Sequence, residues 1–166
     1  MSEAKVGEEF VKHEFDESIA IQQCIVDAEA TLARAHPMDH ARRAIKSALA
    51  ADEKYLQQLR TLGKRHDATG EVEDVAGGLK ELMESTLQKA TTKGNESDFY
   101  EAHAVLLNLK RKQWDSAGGM LAIARDQKDT KLRDAAKDFQ AGQKETSTAL
   151  TEELAAFAVQ IAGQAA

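Results

Sequence analysis

The chain has 166 residues, 42% hydrophobic, 30% charged and only 5% aromatic, with one Pro and a formal net charge of −6. That balance excludes a disordered chain and fits one domain, residues 1–166, large enough for a real core. The acidic charge argues against nonspecific binding to nucleic acid or anionic membranes, and the single cysteine, Cys24, excludes an intramolecular disulfide and a Cys-based metal site.

Abundant Ala, Leu, Glu, Lys and Gln with so little Pro predict an all-α fold. The opening MSEAKVGEEF is acidic and lacks the apolar stretch of a secretory signal. No run approaches the roughly 18 apolar residues of a membrane span. A cytoplasmic protein without membrane partners is expected.

The first long helix is predicted from about Glu3 to Ala35, with Val6, Phe10, Glu17, Ile21, Cys24, Ala28 and Leu32 on one stripe. His36-Pro37 ends it, because Pro disfavours a helical residue before it and suits the first turn of a new helix. Asp39 is the expected cap of the second helix, which runs to about His66 with Ile45, Ala48, Leu49, Asp52, Leu56 and Leu59 inward. Lys64 to Asp74 is a polar break. A shorter helix follows from about Val72 to Lys89, weakened by Gly77-Gly78.

TTKGNE, Thr91 to Glu96, reads as a loop. The third long helix covers Ser97 to Asp126 and buries Ala102, Val105, Leu106, Leu109, Gln113, Ala117, Met120 and Ala124. Gln127 to Thr130 connects it to a last helix from about Lys131 to Ile161. A helix of about 30 residues spans about 45 Å. If the second and third long helices lie on opposite sides of the bundle, the short helix must cross its length. A four-helix bundle with one long crossover is the ferritin-like arrangement.

Polar residues on these inward stripes point to one shared layer, because each is costly unless paired. They are Glu17 on the first helix, Asp52 on the second, Gln113 on the third, and Gln143 and Thr146 on the fourth. Ferritin-like dimetal bundles place a Glu on each of two helices and Glu-x-x-His on each of the other two. Here Asp52 is followed at the third position by Tyr55, and Gln143 by Thr146, so both histidines are missing. Gln113 replaces a single carboxylate. No Glu-x-x-His and no HExxH occurs anywhere in the chain. Glu17, Asp52, Tyr55, Gln113, Gln143 and Thr146 therefore read as a degenerate polar layer with no metal, no cofactor and no catalytic constellation.

In layout and apolar spacing the chain resembles the YciF-type branch of the ferritin-like superfamily, small stress-associated proteins, over roughly Gln22 to Ala155. The similar stretches are AADEKYLQQLRTLG (Ala50 to Gly63), GGLKELMEST (Gly77 to Thr86) and QKETSTALTEELA (Gln143 to Ala155). The resemblance implies a ferritin-like bundle with a dimetal site. The family's acidic and His cluster on the third helix is similar in position to Lys110-Arg111-Lys112-Gln113, and its paired carboxylates on the last helix to Gly142-Gln143, so the ligands themselves are absent.

Leu107, Trp114 and Leu121 recur on the side of the third helix away from Gln113, and Phe15, Ile19, Gln22 and Val26 do the same on the first helix. A second apolar stripe suggests packing outside the bundle, and a homodimer is expected through Phe15, Ile19, Leu107, Trp114 and Leu121. The alternative is that the crossover helix or the termini cover them. Lys110-Arg111-Lys112 spreads around the helix and reads as a solvated face, so no nucleic-acid partner is expected. Cys24 reads as a core residue. The expected function is that of a non-enzymatic, structural or stress-associated protein acting through protein contacts. The alternative is a ferritin-like metal-binding or oxidising protein with an atypical site.

Overall fold

A computed structural model describes residues 3–73 and 75–164. It is all-helical, with no strand among the described residues. The helices are α1 (Glu3–Ala35), α2 (Asp39–Gly63), α3 (Val75–Lys93), α4 (Glu96–Asp126) and α5 (Thr130–Gln164), with a 3₁₀ turn at Lys64–His66. None is long and apolar enough to cross a membrane.

Local chemistry sets the boundaries. Pro37 separates α1 from α2, and Arg42 ties the corner by donating to the His36 carbonyl at 2.6 Å. Asp39 is not the cap expected of it. It pairs with Arg42, and Met38 precedes the helix without a side-chain cap bond. Asn95 caps α4 by accepting from the Ser97 amide at 2.8 Å. Asp129 caps α5, accepting from the Leu132 amide at 3.1 Å and from Arg65 at 2.6 Å. The short helix starts and ends about three residues later than its apolar pattern predicts.

The four long helices close a ring in the order α1, α2, α5, α4, while α3 packs outside against α1 and α4. Residue pairs across the contacts fix the directions. Gln22 meets Asp52 and Phe15 meets the segment after α2 at His66, so α1 and α2 run antiparallel. Asp52 meets Gln143 and Tyr55 meets Phe139, so α2 and α5 are antiparallel. Trp114 meets Gln140 and Glu96 meets Gln160, so α4 and α5 are antiparallel as well. The diagonal helices α2 and α4 therefore run the same way. The chain between them must return along the whole length, and residues 64–95 with α3 do this.

The return path also covers the outer stripe of α1. Phe15, Ile19, Gln22 and Val26 are all buried. Phe15 stacks on His66, with ring centroids 5.1 Å apart, and Gly63 and Gly70 approach Ile19. Asp16 fastens the loop by accepting from the Thr69 and Gly70 amides at 2.7 and 2.9 Å. Phe15 and Ile19 are thus core residues of the single chain, not part of a dimer face. Val6 and Phe10, expected inward, stand exposed near the start of α1.

The core is two apolar clusters. One gathers Ile25, Leu32, Ile45, Met83, Leu106 and Phe157, and the other gathers Phe15, Leu59, Met120, Leu132 and Phe139. A buried polar layer lies where they meet.

Candidate functional site

The layer is built around the Lys110 side chain, which α4 directs inward one turn before Gln113. Its ammonium donates to Asp52 Oδ2 at 2.5 Å and to Glu29 Oε1 at 2.8 Å, and all three side chains are fully buried. Asp52 Oδ1 accepts from Gln143 Nε2 at 2.6 Å and from Gln22 Nε2 at 2.8 Å. Gln22 also donates to the Asp52 carbonyl at 3.0 Å. One cation and two acids from three helices are therefore held by two amides from α1 and α5.

The charges are set by burial and by each other. Burial pushes Glu29 up to about 8, with Lys110 opposing the shift and Asp52 adding to it. Burial works against the Lys110 charge, but Glu29 and Asp52 outweigh it and hold the ammonium above the ordinary lysine range. Burial thus works against a full charge on Glu29 beside the Lys110 ammonium. Such a cluster is close to electrically neutral, which lets it stay inside. Glu29 Oε2 has no hydrogen-bond partner among the described residues.

The residues expected in the layer divide. Asp52 and Gln143 belong to the lysine cluster. Gln113 is buried beside it and donates to the Ser18 carbonyl at 3.0 Å, while its Oε1 has no partner among the described residues. Tyr55 is buried but stacks on Phe139 at 3.8 Å, and its hydroxyl makes no hydrogen bond among the described residues. Burial raises its pKa. Thr146 bonds back to the Gly142 and Gln143 carbonyls of its own helix at 3.3 and 3.5 Å. Glu17 lies outside the layer. It is half-buried, pairs with Lys112 and sits 3.9 Å from His13. Its ligand atoms lie within 4.8 Å of those of His13 and Glu14, with Lys112 already on the carboxylate.

Lys110, Glu29 and Gln22 are the residues sequence reasoning missed. Lys110 was expected on a solvated face, yet it lies three residues before Gln113, on the same side of α4. Glu29 lies seven residues after Gln22 on the corresponding side of α1. α1 hides these polar positions because α2, α4 and α3 all pack against it. With three neighbours, no single stripe defines its inside.

A second buried polar pair sits inside one apolar cluster. His36 Nδ1 accepts from the Met38 amide at 3.2 Å, and its Nε2 lies 3.4 Å from His103 Nδ1. Phe157 packs on His36 with centroids 4.7 Å apart. Burial lowers both imidazoles to about 4, with His103 further lowering His36 and the Leu150 backbone partly offsetting the shift at His103.

The residues present do not fit a dimetal centre. Two metals need several bridging and terminal carboxylates, and imidazole at two of the ligand positions. Among the described residues the carboxyl groups in this interior are those of Glu29 and Asp52, both bonded to Lys110, and the histidine pair belongs to a separate apolar region. Comparison with protein-family models finds no match to this chain, and comparison with curated proteins finds none.

Proposed function

We propose that this protein is a ferritin-like four-helix bundle in which a lysine ammonium stands where related bundles hold metal. On this reading it is a non-enzymatic, structural or stress-associated cytoplasmic protein that acts through contacts with other proteins. The observation that carries the reading is Lys110, hydrogen-bonded to Asp52 and Glu29 between two apolar clusters. A fixed internal cation balances the acids without a bound ion. The helix order supports the ferritin-like assignment, since α2 and α4 are parallel across a diagonal and joined by a return segment. A homodimer remains part of the proposal. Its surface shrinks to the ridge of Leu107, Trp114 and Leu121 on α4, where Trp114 is 37% exposed.

Elemental analysis of protein purified without chelator tests the reading. Substoichiometric iron, manganese and zinc are expected. Stoichiometric metal that disappears in Asp52→Ala would establish the rival, a metal-binding or oxidising protein with an atypical site.

A further inference from the structure

A groove of about 450 Å³ runs between α4 and α5, beside the lysine cluster. Lys110 and Gln143, both almost fully buried, form its floor. Leu107 and Trp114 form an apolar wall. The indole is held in place by a reciprocal clamp, with Trp114 Nε1 donating to the Gln140 carbonyl at 3.3 Å and Gln140 Nε2 donating to the Trp114 carbonyl at 3.2 Å. The size is that of a small-molecule site.

The electrostatics of the lining oppose those of the whole chain. The net charge is −6, yet the groove is lined by three cations and no carboxylate. Lys110 is neutralised from behind by Asp52 and Glu29. Arg111 lies over one face of the Trp114 ring, 5.4 Å from its centroid, and 3.3 Å from Asp115, an exposed pairing that holds it only weakly. Lys144 makes no ion pair among the described residues. Ser147 Oγ has only a long 3.5 Å contact with Gln143 Oε1, so redirecting its hydroxyl costs little.

We propose that this groove binds a small organic anion with an apolar body, an aryl or medium-chain alkyl carboxylate. The body lies against Leu107 and the Trp114 indole beside the Arg111 guanidinium, and the carboxylate meets Lys144, Arg111 and the Ser147 hydroxyl at the rim. The binding site goes beyond the contact role proposed above and competes with its dimer ridge for Leu107 and Trp114, so the light scattering below separates the two.

Trp114 is the only tryptophan in the chain, so its fluorescence reports the groove directly. The experiment titrates the full chain with octanoate and 3-phenylpropionate, and in parallel with their uncharged amides. A saturable change is expected with the acids. Affinity is expected to fall about tenfold for the amides and for Lys144→Glu, the loss of one charge-assisted contact. Lys144 is exposed, so its replacement leaves the fold intact, and circular dichroism of the variant checks this. A non-saturating response, equal affinity for acid and amide, or unchanged binding by Lys144→Glu would overturn the proposal. So would light scattering that shows a dimer in which Trp114 is shielded and the acids cause no change.

Discussion

Lys110 donates to Glu29 and Asp52 from the middle of α4, so removing its charge leaves the two acids side by side in an apolar interior without their hydrogen-bonding cation. Lys110→Met is expected to cost about 3–5 kcal/mol in chemical denaturation, the usual loss when one partner of a buried ion pair is deleted. Adding Glu29→Gln and Asp52→Asn to the same chain should recover much of that loss. A triple variant no more stable than Lys110→Met would mean that the penalty is lost packing, not stranded charge.

The pH dependence follows from the same residues. Glu29 moves from 4.5 to about 8 on folding. Between these values the folded chain holds the extra proton, so this contribution is full below pH 4.5 and fades as pH rises toward 8, by about 1.4 kcal/mol per pH unit. His36 and His103 act in the opposite sense. Their folded values are about 4 against 6.5, so their contribution is lost as pH falls from 6.5 toward 4. Stability should peak near pH 6.5, and Glu29→Gln should flatten the alkaline limb and steepen the acid limb above pH 4.5, where Glu29 and the histidines oppose each other. An unchanged alkaline limb in that variant would show that Glu29 is already ionised in the folded chain. The sequence made Asp52 and Gln143 readable because each interrupts an otherwise apolar stripe. Lys110 was hidden by two neighbouring cations that do face solvent, and its inward direction is a property of helix phase, not of residue type.

Among the elements, the return segment is where backbone geometry matters most. Gly70 has φ of +85°, and a Cβ there would lie 2.6 Å from Ile19 Cγ2. Gly70→Ala should therefore cost about 1–3 kcal/mol from the backbone alone, with a further penalty as Ile19 is displaced. Gly78 lies inside α3 with nothing near its would-be Cβ. Gly78→Ala should stabilise by about 0.5–1 kcal/mol. Thermal melts of the two variants read this contrast, and a stabilised Gly70→Ala would show that the loop does not seat on Ile19. The existence of α3 was plain from its apolar spacing. What it does for α1 was not. Phe15 and Ile19 look like an unpartnered stripe until the segment from Gly63 to Gly70 is laid over them, a contact between residues far apart in sequence that no local periodicity encodes.

At the scale of the molecule, four long helices and one short one were readable from apolar periodicity, from Pro37 and from the polar stretches Thr91 to Glu96 and Gln127 to Thr130 at the breaks. The ring order follows from lengths and connections, because short links make α1–α2 and α4–α5 antiparallel neighbours and the long link allows α2 and α4 to be parallel. The interior charge balance needed coordinates, since it depends on which of Glu17, Glu29, Lys110 and Lys112 face inward. Glu17 and Lys112 pair at the surface, while Glu29 and Lys110 pair inside. That internal pairing keeps both buried acids occupied by a cation of the chain itself. Its most direct test is a titration of the chelator-free protein with Mn²⁺, followed by the electron paramagnetic resonance signal of the free ion. The signal should grow as in buffer alone, because Lys110 already occupies the carboxylates. Stoichiometric loss of the free-ion signal, abolished by Asp52→Asn or Glu29→Gln, would contradict the account.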